Sequence, residues 1–576
     1  MVQEFAASAF PVAGEVIEPA PPRRRTRVVG AVPRVEYALC SLIVLFGMVI
    51  RVPGFAAGDL WPDDAWITLP VRVGLREALR MDVSTPLFLL ALRQWAMLDL
   101  SSTAFIQLLP FTASLLAIAA VWWLVRTIGG RMWTRVLVTT FAAANPLYVI
   151  YSMRVKEYSV EVLLGLLLLI CLAKAVQGPS ARRSIALLAL SVVACVTSGA
   201  LVLFVGGVLV SFAIQGLRAH RQRDRYWMAT VVGTCVAMVG SFLAFYDHLP
   251  PLLNREWAPL EFNSGNPNSL VHTIGVMGSG IATGFLGLHL ETQSFPREFD
   301  LTGAGFDAAF ITAGVVFVAL LALIGGSLSL TRSPITAAGT CAIASSAVIM
   351  IAILAAVTGH APLGGGRTDL WWYPAVWCLA AIVIEAAFRR FSPGVRRLEE
   401  PVRRSITVVA AVLLAVTAVL FGFHYRSVYP TQDLRALFDQ NQAQLRPTDW
   451  IYVEPAEAYV WALYGLGPFH IQFDTATNDP SDTGWRVVID KFDAQERVIL
   501  DPSSVCARTS RIWWIGKNAS EFTPAAESVV GPRHMRIVAP TGSFANLLDL
   551  GWRQSEIILG RGVSAILYTH PGPCDQ

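Results

Sequence analysis

Two adjacent carboxylates, Asp63 and Asp64, stand between Trp61 and Trp66 in GDLWPDDAWITLP, residues 58–70. A carboxylate there can take a proton from a hydroxyl, and a pair can help to hold a divalent cation. The plainer reading is two solvated loop charges. The tryptophans weigh against it, because they collect at the membrane–water interface. A second group, Arg154, Lys156, Glu157 and Glu161, lies in NPLYVIYSMRVKEYSVEVLLG, 145–165, where two apolar runs meet. A charge held in hydrocarbon costs about 2.5–3.5 kcal/mol on insertion scales, so such groups face a cavity, a partner or a function. The plain alternative is a short loop in which Lys156 pairs with Glu157 or Glu161. The third group is TGHAPLGGGRTDLWWYP, 358–374. Its consecutive glycines allow close backbone approach, and the planar fork of Arg367 matches a phosphate. Asp369 is a ready partner for that arginine, and His360 is read as structural or incidental. Carboxylates from one loop and cations from two others suit chemistry on a lipid-linked phosphate.

The elements that must hold these groups are membrane helices. The chain has 576 residues, 54% hydrophobic and only 15% charged, with mean hydropathy +0.52, a balance that soluble domains rarely sustain over such a length. The net charge is +4, with the basic residues in short clusters between apolar runs, which argues against a nucleic-acid-binding face. Six of the 8 cysteines lie in or beside apolar runs and read as small buried hydrophobes. Spans of roughly 20 residues fit near 36–52, 104–126, 133–152, 157–177, 184–198, 199–217, 227–246, 308–329, 336–357, 370–388 and 405–423, about eleven in all. Threaded alternately from a cytoplasmic N-terminus, they put Arg126/Arg131, Lys174/Arg182/Arg183, Arg218 to Arg225, Arg332 and Arg389 to Arg404 on the inner side, as the positive-inside rule asks. All three reactive groups, and the segment 247–307, then face outward.

Two stretches depart from this pattern. TPLFLLALRQWAML, 85–98, is too short to span and carries Arg93, so it reads as an amphipathic helix in the outer interface. The first outer loop, 53–103, would then be anchored by Trp61, Trp66 and Trp95. Beyond about 427, short β-branched and aromatic runs such as DWIYVEP, RVVID, SRIWWIGK and SAILYTH alternate with turn residues and two helical patterns. The expected fold class is therefore a polytopic α-helical membrane protein with a C-terminal soluble α/β domain. Its parts are a disordered cytoplasmic tail 1–34, a transmembrane catalytic domain 35–426 and an outer domain 427–576. Cys506 and Cys574, on the oxidising side, form a plausible disulfide.

The motifs resemble those of the GT-C superfamily of membrane glycosyltransferases, in the group of protein O-mannosyltransferases and the lipid A aminoarabinose transferase. WPDDAW looks like the family's acidic motif, with Asp63 at the position of the catalytic base and Asp64 at its acidic neighbour. STPLFLLALRQW is similar to a Pro-Pro-Leu element of the same loop, with Thr85 in place of the first proline. NPLYVIYSMRVKEYSVE sets Lys156, Tyr158 and Glu161 on motif positions, and GGGRTDLWWYP would bring Arg367 to the carrier phosphate. The chain departs from the pattern at Arg154, where an acidic residue is expected, so Glu161 or Glu157 must supply a second carboxylate if one is needed.

The resemblance implies a multi-pass enzyme of the bacterial cytoplasmic membrane that moves a sugar from a polyprenyl-phosphate donor to an acceptor hydroxyl at the outer face. Asp63 would be general base, while Lys156 and Arg367, with Tyr158, would meet the lipid phosphate. Asp64 would orient the acceptor or help hold a divalent cation such as Mg, Mn or Zn. A flippase for a lipid-linked glycan is the rival reading. It would call for inverted repeats and broken helices at the bilayer midplane, which the sequence does not display.

Overall fold

The computed structural model describes residues 34–56, 84–99, 103–218, 225–245, 304–331, 336–357 and 367–395, with parts of 60–75, 434–453, 487–489, 510–517 and 551–571. The tail, the segment 405–423, His360, Cys506 and Cys574 lie outside the described residues.

The first helix, α1 (Arg34–Ala56), is followed by the short α2 (Pro62–Thr68), a 3-10 turn (Leu69–Val71) and α3 (Pro86–Ala96). Then come α4 (Thr103–Thr127), α5 (Met132–Ala144), α6 (Pro146–Tyr151), α7 (Tyr158–Gln177), α8 (Ala181–Thr197), α9 (Gly199–Arg218) and α10 (Arg225–Phe245). The series ends with α11 (Ala304–Leu330), α12 (Ala337–Val357), a 3-10 turn (Arg367–Trp372) and α13 (Tyr373–Val395). Among the described residues, six helices are long and apolar enough to cross a membrane: 103–127, 158–177, 199–216, 226–244, 337–355 and 370–390. The expected span 133–152 is two helices instead. Pro146 has no N–H to give and disfavours helical backbone in the residue before it. The chain breaks at Asn145, whose side chain accepts the Tyr148 N–H at 2.9 Å and so starts α6.

Helix α7 is the centre of the bundle, packed on α4, α8, α9, α12 and α13. Gly165 lets α13 come close: a Cβ there would stand 3.1 Å from Pro374 and 3.3 Å from Phe204. The two ends of the bundle differ in chemistry. At one end Glu36 of α1 meets Arg135 at 2.8 Å and Arg126 at 3.5 Å. Glu385 of α13 accepts from the Arg131 N–H, the Thr134 hydroxyl and Arg389, each at 2.8 Å. Arg183 donates to the carbonyls of Lys174 and Gly178 at the same end, where Gln177 also reaches the Thr127 carbonyl, so Arg126, Arg131, Arg135, Arg183 and Arg389 gather there. The described residues of 60–71 and 84–99, with 145–158 and 197–199, occupy the opposite end.

The helix expected at 85–98 is α3. Its buried face is Phe88, Leu89, Leu92 and Ala96. Trp95 stacks on Phe105 with ring centroids 5.1 Å apart and donates to the Phe105 carbonyl at 2.8 Å, which fixes α3 to the start of α4. In the C-terminal region the described elements are α14 (Leu434–Gln442) and strands β1 (Trp450–Val453), β2 (Val487–Ile489), β3 (Arg511–Lys517), β4 (Arg553–Leu559) and β5 (Val563–Thr569). They form one sheet in the order β2-β1-β3-β5-β4, parallel across β2-β1-β3 and antiparallel across β3-β5-β4. Trp513, Ile515, Ile558, Ala565 and Leu567 of the sheet, with Leu437 and Phe438, belong to one hydrophobic cluster with Leu60, Ile67, Phe88, Leu92, Ile106 and Val155. The sheet and the first loop thus share a core.

Candidate active site

The turn from Ser152 to Glu157, between α6 and α7, is the platform. It is closed by Ser152 N–H to the Tyr148 carbonyl (3.1 Å), Arg154 N–H to Tyr151 (3.4 Å) and Lys156 N–H to Arg154 (2.7 Å). Tyr151 and Tyr158 meet edge to face across it, centroids 5.5 Å apart. The turn leaves the Val155 N–H pointing out of the helical ladder. Asp64 takes it: Oδ1 lies 3.0 Å from Val155 N, and Oδ2 lies 3.4 Å from Arg154 Nη1. Asp64 is wholly buried, and Arg154 is 9% exposed. The Thr68 hydroxyl donates to the Asp64 carbonyl at 2.6 Å, which steadies the end of α2. Asp64 is thus the bolt that holds the acidic motif onto the Lys156 segment.

The structure brings the other expected residues to this end unevenly. Lys156 Nζ lies 6.0 Å from the centre of the Tyr158 ring, a cation on an aromatic face. Glu161, in the first turn of α7, is 3% exposed and accepts from the Ser198 hydroxyl. Glu157 is half-buried, and its Oε2 is buried without a hydrogen-bond partner. The turn that begins at Arg367 packs on α6 and α7, so its backbone is near the platform. The side chains of Asp63, Arg367 and Asp369 lie outside the described residues, although Asp63 is within α2.

Each Asp64 carboxylate oxygen accepts an N–H, and the charge of the Arg154 guanidinium beside it opposes a cation at that carboxylate. Among the described residues, no three His, Cys, Asp or Glu side chains gather as a metal ion would require.

Three residues have partners that the sequence reading did not foresee. Arg154 counted there as a departure from the motif; here it is the partner of Asp64. The signal was available as charge complement, since a buried carboxylate needs a cation or donors. Ser198 is the single extended residue between α8 and α9, visible in sequence only as the place where two apolar runs abut. Arg51, in the last turns of α1, is wholly buried. Its Nη1 donates to the carbonyls of Ala143 (2.8 Å) and Gly47 (2.9 Å), and its guanidinium lies 5.2 Å from the Tyr148 ring centre. It therefore satisfies a carbonyl at the end of α5 that the Pro146 break leaves without a helical partner.

No family model matches the chain, and no curated protein matches it. Solved structures do. The apo crystal structure of ArnT from Cupriavidus metallidurans aligns over 92% of this chain and 98% of its own, with TM-score 0.49 and 14% identity. The same enzyme bound to undecaprenyl phosphate gives TM-score 0.47, 14% identity and coverage of 92% and 97%. An Archaeoglobus fulgidus oligosaccharyltransferase tethered to an acceptor peptide gives TM-score 0.48 and 11% identity over 93% of this chain and 74% of that one. At such identity, what the site does has to come from its residues.

Proposed function

We propose that the protein is an inverting glycosyltransferase that moves a sugar from a polyprenyl-phosphate donor to an acceptor hydroxyl at the outer face of the membrane. The observation that carries this reading is the anchoring of Asp64 by Arg154 and the Val155 N–H, which joins the acidic motif to the Lys156 platform. The sheet that shares a core with α2 and α3 lies at the same end of the bundle as the acidic motif, which supports a role for it beside the site.

In this reading the acceptor oxygen attacks the anomeric carbon as Asp63 takes its proton. The bond from that carbon to the phosphate oxygen breaks in line, and its electron pair leaves with the lipid phosphate. Lys156 and Arg367 offset the charge that grows there, and the Tyr158 ring restrains the Lys156 ammonium. Phosphate is a good leaving group, so no general acid is required opposite the base, in contrast to a glycosidase. Asp64 acts by holding α2, and one of Glu157 and Glu161 meets a substrate hydroxyl.

The test is release of free lipid phosphate from a panel of polyprenyl-phosphate sugars by purified protein and by Asp63→Asn. Release by wild type alone supports the reading. Binding of the donors with no release from any of them, with candidate acceptors and divalent cations present, would point to transport of the lipid-linked glycan.

A further inference from the structure

Helices α8 and α9 are separated by one residue, and that residue touches the only carboxylate of α7 that a described side chain holds. Ser198 is extended, with φ −156° and ψ 137°, and serves as the N-terminal cap of α9: its Oγ accepts the Ala200 N–H at 3.1 Å. With that amide on its oxygen, the hydroxyl proton is aimed at Glu161 Oε1, to which Ser198 donates. The neighbouring Thr197 carbonyl accepts the hydroxyl of Thr85, the residue just before α3. A single turn thus fixes the start of the interfacial helix α3 and the carboxylate of Glu161. Glu157 has no such fixture; its Oε2 is buried without a partner.

Taking the glycosyl-transfer reading as its basis, we infer that Ser198 is a positioning residue, which orients Glu161 rather than Glu157 toward a hydroxyl of the sugar or the acceptor. A carboxylate that must meet one hydroxyl in a fixed direction gains from a held geometry, because small misplacements are amplified in rate. Ser198 occupies Oε1, which leaves Oε2 as the oxygen to meet the ligand. The link to Thr85 means that α3 and Glu161 move together.

The experiment is a double-mutant cycle in purified full-length protein, with polyprenyl-phosphate sugars as donors and release of lipid phosphate as readout. Ser198→Ala should lower kcat by about 10²-fold, with KM for the donor nearly unchanged. Ser198→Thr keeps the hydroxyl and should restore most of the rate. Glu161→Gln should be at least as slow as Ser198→Ala, and the double variant no slower than Glu161→Gln alone. Loss of the cap should lower Tm by the same amount with Glu161 or Gln at position 161, which separates a structural effect from a positional one. Losses that multiply in the double variant, or a Ser198→Thr protein as slow as Ser198→Ala, would overturn the assignment while wild-type activity leaves the transferase reading intact. A wild type that releases nothing from any donor would end that reading, and this inference with it.

Discussion

Replacing Asp64 by alanine should undock the first loop, and the size of the effect follows from the geometry. The carboxylate is wholly buried and lies 3.4 Å from Nη1 of Arg154, which is itself largely buried. At an effective dielectric of about 20 the attraction is worth roughly 5 kcal/mol, and most of it is spent on desolvating the two ions. Removing one partner is different, because the buried Arg154 then loses the Asp64 charge while its own desolvation remains, at a cost of about 3–5 kcal/mol. The Val155 N–H loses its acceptor as well, so Asp64→Ala should fall near the top of that range. Asp64→Asn keeps an oxygen for Val155 but also removes the charge opposite Arg154, so it should cost less than alanine, near the lower end of that range at about 3 kcal/mol. The double variant Asp64→Ala/Arg154→Ala should recover part of the loss, with a coupling of about 1–3 kcal/mol. Urea unfolding in detergent gives the global values, and hydrogen exchange over 62–71 and 152–157 reports the local undocking. Additive single losses, or exchange over 62–71 that stays at the wild-type level in Asp64→Ala, would refute the account of Asp64 as the bolt of the site.

Four further outcomes follow from the same contacts. Asp63→Asn should lose lipid-phosphate release by at least about 10²-fold while unfolding at the wild-type urea concentration, as expected for a base whose carboxylate acts in the reaction. Arg51→Ala should destabilise by about 1.5–3 kcal/mol in thermal or urea unfolding, because the Ala143 carbonyl and the ring of Tyr148 lose their cation. Trp513→Ala should cost about 3–5 kcal/mol and expose the chain near α2 and α3 to limited proteolysis, since Trp513 lies in the cluster that they share. Glu385→Gln at the far end should lower stability by about 1–3 kcal/mol and leave KM for the donor unchanged, because its three donors tie helices and touch nothing at the platform.

The helices themselves were legible because bilayer length and loop charge are strong constraints. Segments such as 157–177 and 336–357 reappear as α7 and α12 within a residue or two. The split of 133–152 was not read, although Asn145-Pro146 carries both a cap and a breaker; the apolar count ran straight through it. The site was legible as residue types but not as partners. Arg154 and Asp64 are 90 positions apart, and a single sequence contains nothing that pairs them except opposite charge. Ser198 was invisible for another reason: a serine between two apolar runs is unremarkable until its hydroxyl is seen to serve both a helix end and Glu161. In the C-terminal region alternation marked strands at 450–453 and 511–517, but their parallel neighbours and the order of the sheet depend on crossovers that periodicity does not encode.

The hydrophobic cluster that joins residues 60–106 to residues 437–567 also sets a timetable for biogenesis. The acidic motif leaves the ribosome early, yet the aromatic and aliphatic side chains that complete its core arrive only with the last quarter of the chain. At about 5–20 residues per second the interval is on the order of tens of seconds. Through that time α2 and α3 have only their contacts with residues 103–199, such as Asp64 on Val155 and Trp95 on Phe105, to rest on. A nascent chain stopped before β3 would therefore lack the strand residues that complete this core, and chaperones that shield apolar segments would find their target in this one loop.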